Sequence, residues 1–203
     1  MNNPYWEEIR SLFVSHDEED YHWFIKHSEA RDKCCRKYAW AIADPASVAF
    51  VARYLGPRAV EIGAGTGYWA WQLWQQGIDI IAFDHNPPDK VPNDFFAPRT
   101  ERPSKTLVKT WYPVTQGSSE VLSEHPDRTL FLCWPNYATD FATQCLQAYQ
   151  GNRFVFIGEN EGGCTGNADF FDLLEKEWQQ VDAHQILQWS GIHDTIVVYE
   201  RSS

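Results

Sequence analysis

The sequence lacks any run of lysine and arginine, and its formal net charge is −11. Nucleic-acid binding depends on basic patches that neutralise phosphates, so an acidic chain without such a patch predicts no nucleic-acid partner. No apolar run approaches the roughly 18 residues that a membrane-spanning helix requires, so we also expect no membrane partner. These absences favour a small molecule as the ligand.

Paired cysteine motifs are missing as well. The five cysteines form no Cys-x-x-Cys pair, and Cys34 and Cys35 are adjacent, a spacing that does not suit the ligands of a structural zinc ion. We therefore predict free thiols and no bound metal. The opening segment MNNPYWEEIR has neither the basic nor the apolar part of a secretory signal, so we expect a cytoplasmic protein.

Aromatic residues, by contrast, are abundant. The 203 residues include 10 Trp, 9 Tyr and 12 Phe. The hydrophobic share of 43% against 22% charged residues is typical of a globular domain. So many rings suit either a pocket for a planar or cationic ligand or a tryptophan-rich core, and composition does not decide between the two.

The order of local patterns predicts an α/β fold. Residues 1–55 show helical spacing of apolar residues, and Asp44-Pro45 is typical of a helix start. From residue 56 onward short apolar strands alternate with helices, which predicts a mostly parallel sheet covered on both faces. We expect a domain over 56–203 with seven strands, one of them an antiparallel edge strand, and an N-terminal helical extension over 1–55. The strands are predicted at 59–62, 78–84, 106–114, 129–134, 153–157, 183–189 and 195–199.

One loop carries the strongest signal for a ligand. Glu61 is followed by Gly63, Gly65 and Gly67, between a predicted strand and a predicted helix. Glycine is needed where the backbone takes a positive φ or approaches a ligand closely. Asp84 ends the next strand, about 20 residues on, where nucleotide-binding folds place an acid for the ribose. A dinucleotide-binding loop and another adenosine-binding loop both remain open at this point.

The pattern Glu-x-Gly-x-Gly-x-Gly resembles the first motif of class I S-adenosylmethionine (SAM)-dependent methyltransferases. That resemblance implies a Rossmann-like class I methyltransferase fold with SAM as cofactor. It also implies that the glycine loop, with Glu61, Gly63, Gly65 and Gly67, packs against the methionine part of SAM. Asp84 is then expected to bind the ribose hydroxyls.

The end of the fourth predicted strand departs from a pattern common in that family. Amino-group methyltransferases often carry Asn/Asp-Pro-Pro-Tyr there, and the first residue grips the acceptor amine. This chain has Trp134, Pro135, Asn136 and Tyr137 at those places. The indole cannot take over the polar grip, so transfer to a nucleobase amine is not expected.

Four further segments resemble a group of small bacterial methyltransferase-like proteins: YAWAI at 38–42, EIGAGTGYWA at 61–70, CWP at 133–135 and IGE-x-x-GG-x-TG at 157–166. The bacterial azetidine-2-carboxylate synthases, which cyclise SAM and release methylthioadenosine, look similar to that group. The resemblance favours SAM cyclisation, with methyl transfer to a small molecule as the alternative and non-catalytic SAM binding as a third reading. Through the first and third segments it also places Tyr38 and Cys133 at the cofactor.

Cyclisation would need a held sulfonium and an aimed, unprotonated amine. Trp134 and Tyr137 are candidates to hold the sulfonium by cation–π attraction, and Asn136 to accept a hydrogen bond from the amine. Glu159 and Glu161 are the candidates to orient or deprotonate that amine. Simpler interpretations remain open: Trp134 as a core ring and Glu159 as part of a solvated turn.

The N-terminal helices are expected to form a lid, because small methyltransferases of this fold commonly use such an extension to cover the ligand. Tyr21 and Trp23 are among the rings that would close the pocket and exclude water. His16, His22 and His27 with the acidic residues 17–20 could form a metal site, but such a charged run is more typical of a solvated helix end or start.

Overall fold

The computed structural model describes residues 2–13 and 21–202, except for the side chains of Tyr21, His22 and Arg99. His16 and residues 17–20, discussed above as a metal site or a solvated helix end, lie outside the described residues, as does the ring of Tyr21. Within the described ranges, no cluster of three His, Cys, Asp or Glu residues could hold a metal ion.

The described chain forms six α-helices, seven strands and several 3₁₀ turns. The helices are α1 (Pro4–Ile9), α2 (Tyr21–Lys37), α3 (Pro45–Leu55), α4 (Tyr68–Trp74), α5 (Phe141–Ala148) and α6 (Ala168–Glu177). The strands are β1 (Arg58–Ile62), β2 (Asp79–Asp84), β3 (Val114–Gln116), β4 (Thr129–Cys133), β5 (Arg153–Gly158), β6 (Trp178–His184) and β7 (Thr195–Arg201). None of these helices is long and apolar enough to cross a membrane.

All seven strands belong to one sheet in the order β3-β2-β1-β4-β5-β7-β6. Neighbouring strands are parallel except around β7, which runs antiparallel to both β5 and β6. The mostly parallel, seven-stranded sheet is thus confirmed, and the reversed strand lies one position in from the edge. The strand order reverses between β1 and β4, where open α/β sheets form their ligand crevice.

Local sequence signals explain where the key elements begin and end. Asp44 caps α3, because its carboxylate accepts hydrogen bonds from the backbone N–H groups of Ala46 at 2.9 Å and Ser47 at 3.2 Å. The helix ends at Gly56, whose φ of +67° suits the C-terminal glycine. β1 and β4 are apolar and buried because both faces of the central sheet are covered.

The N-terminal helices share the core of the sheet. Tyr5 and Ile9 of α1 and Val51 of α3 are fully buried in one cluster with Phe131 of β4. A second cluster on the other face packs α5 and α6 against the sheet. The abundant rings serve partly as core, since Trp69, Trp189 and Tyr68 are among the largest fully buried side chains.

Two strand predictions were wrong in their bounds. The strand expected at 106–114 is only Val114–Gln116, because the preceding residues leave the sheet and Trp111 instead donates its backbone N–H to Thr66. The strand expected at 183–189 is Trp178–His184 and begins directly after α6. It is an edge strand with largely exposed residues, so the apolar pattern that marks the inner strands is weak there.

Candidate functional site

A cavity of about 730 Å³ opens at the carboxyl ends of β1, β2 and β4, where the strand order reverses. Nine of the residues predicted from the sequence line it: Tyr38, Glu61, Gly63, Gly65, Asp84, Cys133, Trp134, Asn136 and Tyr137. Gly67 and Glu159 lie outside its lining. The tertiary structure therefore brings together residues from four separate segments of the chain.

The glycine loop is held against the end of β2. The backbone N–H groups of Gly63 and Ala64 both donate to the carbonyl of Phe83, at 2.8 and 2.9 Å. Gly65 has a φ of +54°, and a Cβ added there would lie 2.6 Å from the Phe96 ring. The positive φ favours glycine here, and the missing side chain lets the Phe96 ring pack directly against the loop.

Gly67, unlike Gly63 and Gly65, does not line the cavity. It precedes α4 with a φ of +70°, and a Cβ there would lie 3.1 Å from the Tyr112 carbonyl oxygen. The close approach of Tyr112 and Val114 excludes a side chain. Gly67 thus contributes packing behind the loop, not a wall of the cavity.

Glu61 is a buried acid with one unpartnered oxygen. Its side chain is 2% exposed, and Oε2 has no hydrogen-bond partner. Burial raises the pKa of Glu61 to about 8, a hydrogen bond from the Ala70 backbone opposes the rise, and the charge of Asp84 adds to it. A hydrogen-bond donor on a ligand in the cavity would supply the partner that Oε2 of Glu61 lacks.

Asp84 is fixed by two backbone groups. Its Oδ2 accepts a hydrogen bond from the Gly65 N–H and its Oδ1 from the Asn86 N–H, both at 2.8 Å. Burial raises the pKa of Asp84 overall, although these two bonds favour the charged form. A carboxylate oxygen has more than one acceptor position, so both oxygens can also bind ligand hydroxyls.

Trp134 has an unusual backbone conformation, and its indole contacts both Trp40 and Asp194. Its φ is +56°, which is rare for a bulky residue and is typical of functional positions. The indole stacks on Trp40 with ring centroids 4.8 Å apart, and its Nε1–H donates to Oδ1 of Asp194 at 2.8 Å. Asp194 is 1% exposed, and burial raises its pKa to about 7. The stacked indoles form one wall of the cavity.

Asn136 and Tyr137 follow at the rim. Oδ1 of Asn136 accepts a hydrogen bond from the Ala138 N–H at 2.8 Å, which closes a local turn. The acceptor oxygen that the sequence suggested for a ligand amine therefore already has a partner. The Tyr137 side chain is 57% exposed and lies at the cavity mouth.

Glu159 connects two loops beside the cavity. Its Oε2 accepts a hydrogen bond from the Cys164 N–H at 2.7 Å, and its Oε1 accepts one from the His193 N–H at 2.8 Å. Burial alone would raise the pKa of Glu159, but these backbone bonds together lower it. Glu159 lies outside the cavity lining, and its lowered pKa makes the carboxylate a weaker base, so the geometry favours a positioning role over proton transfer.

We expect Glu159→Gln to destabilise the fold by about 1–3 kcal/mol at pH 7, because the amide NH₂ would face a buried backbone N–H. Urea unfolding measures this loss. Glu161→Gln is the control, since Glu161 is exposed and its replacement should change stability little. Equal stability of the Glu159 variant and the wild type would show that the carboxylate does not hold the two loops.

Tyr38 and Cys133 contribute to the site from more buried positions. The Tyr38 ring stacks on Tyr5 with centroids 4.8 Å apart, and its hydroxyl donates to Oε2 of Glu8 at 2.8 Å. Its carbonyl accepts a hydrogen bond from the Thr66 hydroxyl of the glycine loop. Cys133 is a free thiol whose pKa is raised by burial, which does not suit a nucleophile.

Several lining residues were missed by the sequence interpretation. Arg31 comes from α2, Phe96 from the 3₁₀ turn that α2 packs against, and Ile192 from the connection between β6 and β7. Asp194, which anchors Trp134, lies on the same connection. None of them belongs to a motif, so only their meeting in space identifies them.

Comparisons with known proteins give short sequence matches. No model of a known protein family matches the chain. A 35-residue segment is 51% identical to Ribosomal RNA large subunit methyltransferase M of Cellvibrio japonicus (strain Ueda107), covering 17% of this chain and 10% of that protein. A 32-residue segment is 53% identical to the protein of the same name in Azoarcus sp. (strain BH72), covering 16% and 9%. The match thus spans about a tenth of these curated relatives.

Solved structures match over nearly the whole chain. Magnesium protoporphyrin IX methyltransferase from Synechocystis PCC 6803 with bound SAM has a TM-score of 0.54 at 11% identity, over 97% of this chain and 91% of that one. The 1,6-didemethyltoxoflavin-N1-methyltransferase of Burkholderia thailandensis has a TM-score of 0.52 at 15% identity, over 94% of each chain. Together with the strand order, these matches show that the chain has the Rossmann-like fold of class I SAM-dependent methyltransferases.

Proposed function

We propose that the protein binds SAM in this cavity and transfers its methyl group to a small-molecule acceptor. The observation that carries the proposal is the pair of acids at the ends of two neighbouring parallel strands. Glu61 has a buried carboxylate oxygen without a partner, Asp84 lies on the adjacent strand, and the positive-φ Gly65 lies in the loop that Asp84 holds.

The residues present fit SAM. Oε2 of Glu61 is placed to accept a hydrogen bond from the ammonium of the methionine part, and the oxygens of Asp84 from the ribose hydroxyls. When bound, SAM supplies an electrophilic methyl group on a sulfonium. The stacked faces of Trp40 and Trp134 suit a neighbouring positive charge, and the apolar walls exclude water.

The aromatic part of the cavity lining suits a flat acceptor. It is walled by Trp40, Trp134, Tyr137 and Phe141, and the cavity volume lies in the range of small-molecule sites. The two similar structures are named as methyltransferases of magnesium protoporphyrin IX and 1,6-didemethyltoxoflavin. The relatives named for ribosomal RNA share only a short segment, and the net charge of −11 disfavours an RNA acceptor.

SAM cyclisation is the second candidate, and one observation favours it. The position that grips the acceptor amine in amino-group methyltransferases is occupied here by Trp134, whose indole has no acceptor atom. In cyclisation the α-amine attacks Cγ, the Cγ–S bond breaks, methylthioadenosine leaves and the nitrogen loses a proton. Two observations weigh against it: Glu159, the candidate to deprotonate the amine, lies outside the cavity lining, and backbone hydrogen bonds lower its pKa.

The product distinguishes the two reactions. We expect purified protein with SAM alone to leave the cofactor unchanged, and addition of a pool of aromatic metabolites to yield S-adenosylhomocysteine (SAH), identified by mass. Methylthioadenosine formed from SAM alone with an equal amount of azetidine-2-carboxylate would instead establish cyclisation. Neither product, with no SAH binding in calorimetry, would sink the proposed function.

A further inference from the structure

A cation without a carboxylate partner lies in the cavity. Arg31 lines it from α2 and is half-buried. Its Nη1 donates to the Ser190 carbonyl at 3.2 Å, and none of the ion pairs among the described residues includes it. A guanidinium has five N–H donors, so most of its hydrogen-bonding capacity remains available to a ligand.

Other cations of the same helix are paired on the surface. Arg36 forms an ion pair with Asp32, and Lys33 and Lys37 both pair with Glu8. In a chain with a net charge of −11, acids are plentiful, and a cation left unpaired inside a cavity stands out. Arg31 is therefore available for an anion that enters the cavity.

The same cavity also presents an acid without a cation. Oε2 of Glu61 has no hydrogen-bond partner, and no ion pair among the described residues includes Glu61. Arg31 and Glu61 come from α2 and β1 and both line the cavity. The head of an α-amino acid carries an ammonium and a carboxylate on one carbon, so it offers a partner of the right charge to each of these two side chains.

We propose that Arg31 binds the carboxylate at the amino-acid end of SAM while Glu61 binds the adjoining ammonium. The inference rests on the proposed function, since it names the cavity's ligand as SAM, and it adds a residue from the N-terminal helices to the cofactor site. These helices then take part in cofactor recognition as well as in the core. A bidentate guanidinium–carboxylate contact is both strong and directional.

The test compares two ligands that differ in this one group. SAH carries the amino-acid end, and methylthioadenosine lacks it but keeps the adenosine and the sulfur. In titration calorimetry we expect Arg31→Met to weaken SAH binding by about 10- to 100-fold and to leave methylthioadenosine binding unchanged. Arg31→Lys should recover part of the loss, because the charge is kept and the planar fork is not.

Arg36→Met is the matched control, since it removes the same charge from the same helix at a surface ion pair. It should bind both ligands as the wild type does. An equal loss of both ligands in Arg31→Met would show a structural role for Arg31 and overturn the proposal. Unchanged SAH binding in Arg31→Met would also overturn the proposal. It would indicate that Arg31 binds an acidic acceptor instead. Failure of the wild type to bind either ligand would instead refute the proposed function itself.

Discussion

Replacement of Gly65 by alanine is expected to weaken SAH binding by about 100-fold while the sheet stays folded. An alanine at a φ of +54° is strained, and its Cβ would lie 2.6 Å from the Phe96 ring. The loop would relax to another conformation and release the bond from the Gly65 N–H to Asp84. Part of the binding free energy would then be used to restore the strained loop conformation. Calorimetry measures this as a lower affinity for SAH.

Gly77→Ala is the matched control for this substitution. Gly77 has a φ of +87°, a Cβ there has no atom within 4 Å, and the residue lies outside the cavity. The control should lose roughly 1–2 kcal/mol of stability from backbone strain and keep its affinity for SAH. Wild-type affinity in Gly65→Ala would show that the glycine loop does not contact the ligand.

Substitution of Glu61 by glutamine is expected to stabilise the unliganded protein at high pH. Burial raises the pKa of Glu61 from its ordinary value of 4.5 to about 8. Between these values the folded state binds one more proton than the unfolded state, so stability falls as pH rises through this window. Glutamine does not titrate, so the variant does not lose this stability as the pH rises. The gain over wild type should be absent near pH 4 and reach at most about 5 kcal/mol at pH 9.

Urea unfolding of both proteins at pH 5 and pH 9 measures this difference. Saturation with SAH should reduce the gain at pH 9, because the ligand ammonium then stabilises the Glu61 carboxylate of the wild type. The same ammonium should lower the pKa of Glu61, so binding at pH 7 is expected to release a proton. Calorimetry in two buffers with different ionisation enthalpies detects that proton. Parallel stability profiles for the two proteins would refute a protonated Glu61 in the free cavity.

Local rules were sufficient for most of the fold. Asp44-Pro45 set the start of a helix, the glycine-rich turn followed a short buried strand, and the central strands were mostly apolar. These features depend on neighbours in sequence, so they can be read without a structure. The bounds of the edge strand Trp178–His184 could not be predicted in this way, because its solvent-exposed residues lack the apolar pattern of the inner strands.

Some residues of the cavity could be predicted from the sequence, and others could be identified only from the tertiary structure. Glu61 and Asp84 could be assigned to a site from the sequence because each ends a parallel strand, and the ends of such strands meet at one edge of the sheet. Arg31 and Asp194 could not, since α2 and the connection before β7 reach the cavity only through tertiary packing.

The sequence by itself determined the type of fold and the glycine loop that lines the cavity, because strand ends and glycines follow local steric rules. Only the tertiary structure decided which polar groups are available for chemistry. The sequence indicated Glu159 as a candidate base, yet its carboxylate joins two loops through backbone N–H groups and lies outside the cavity lining. Glu61 retains an oxygen without a partner. Hydrogen-bond satisfaction depends on the whole fold, so residue type alone does not reveal it.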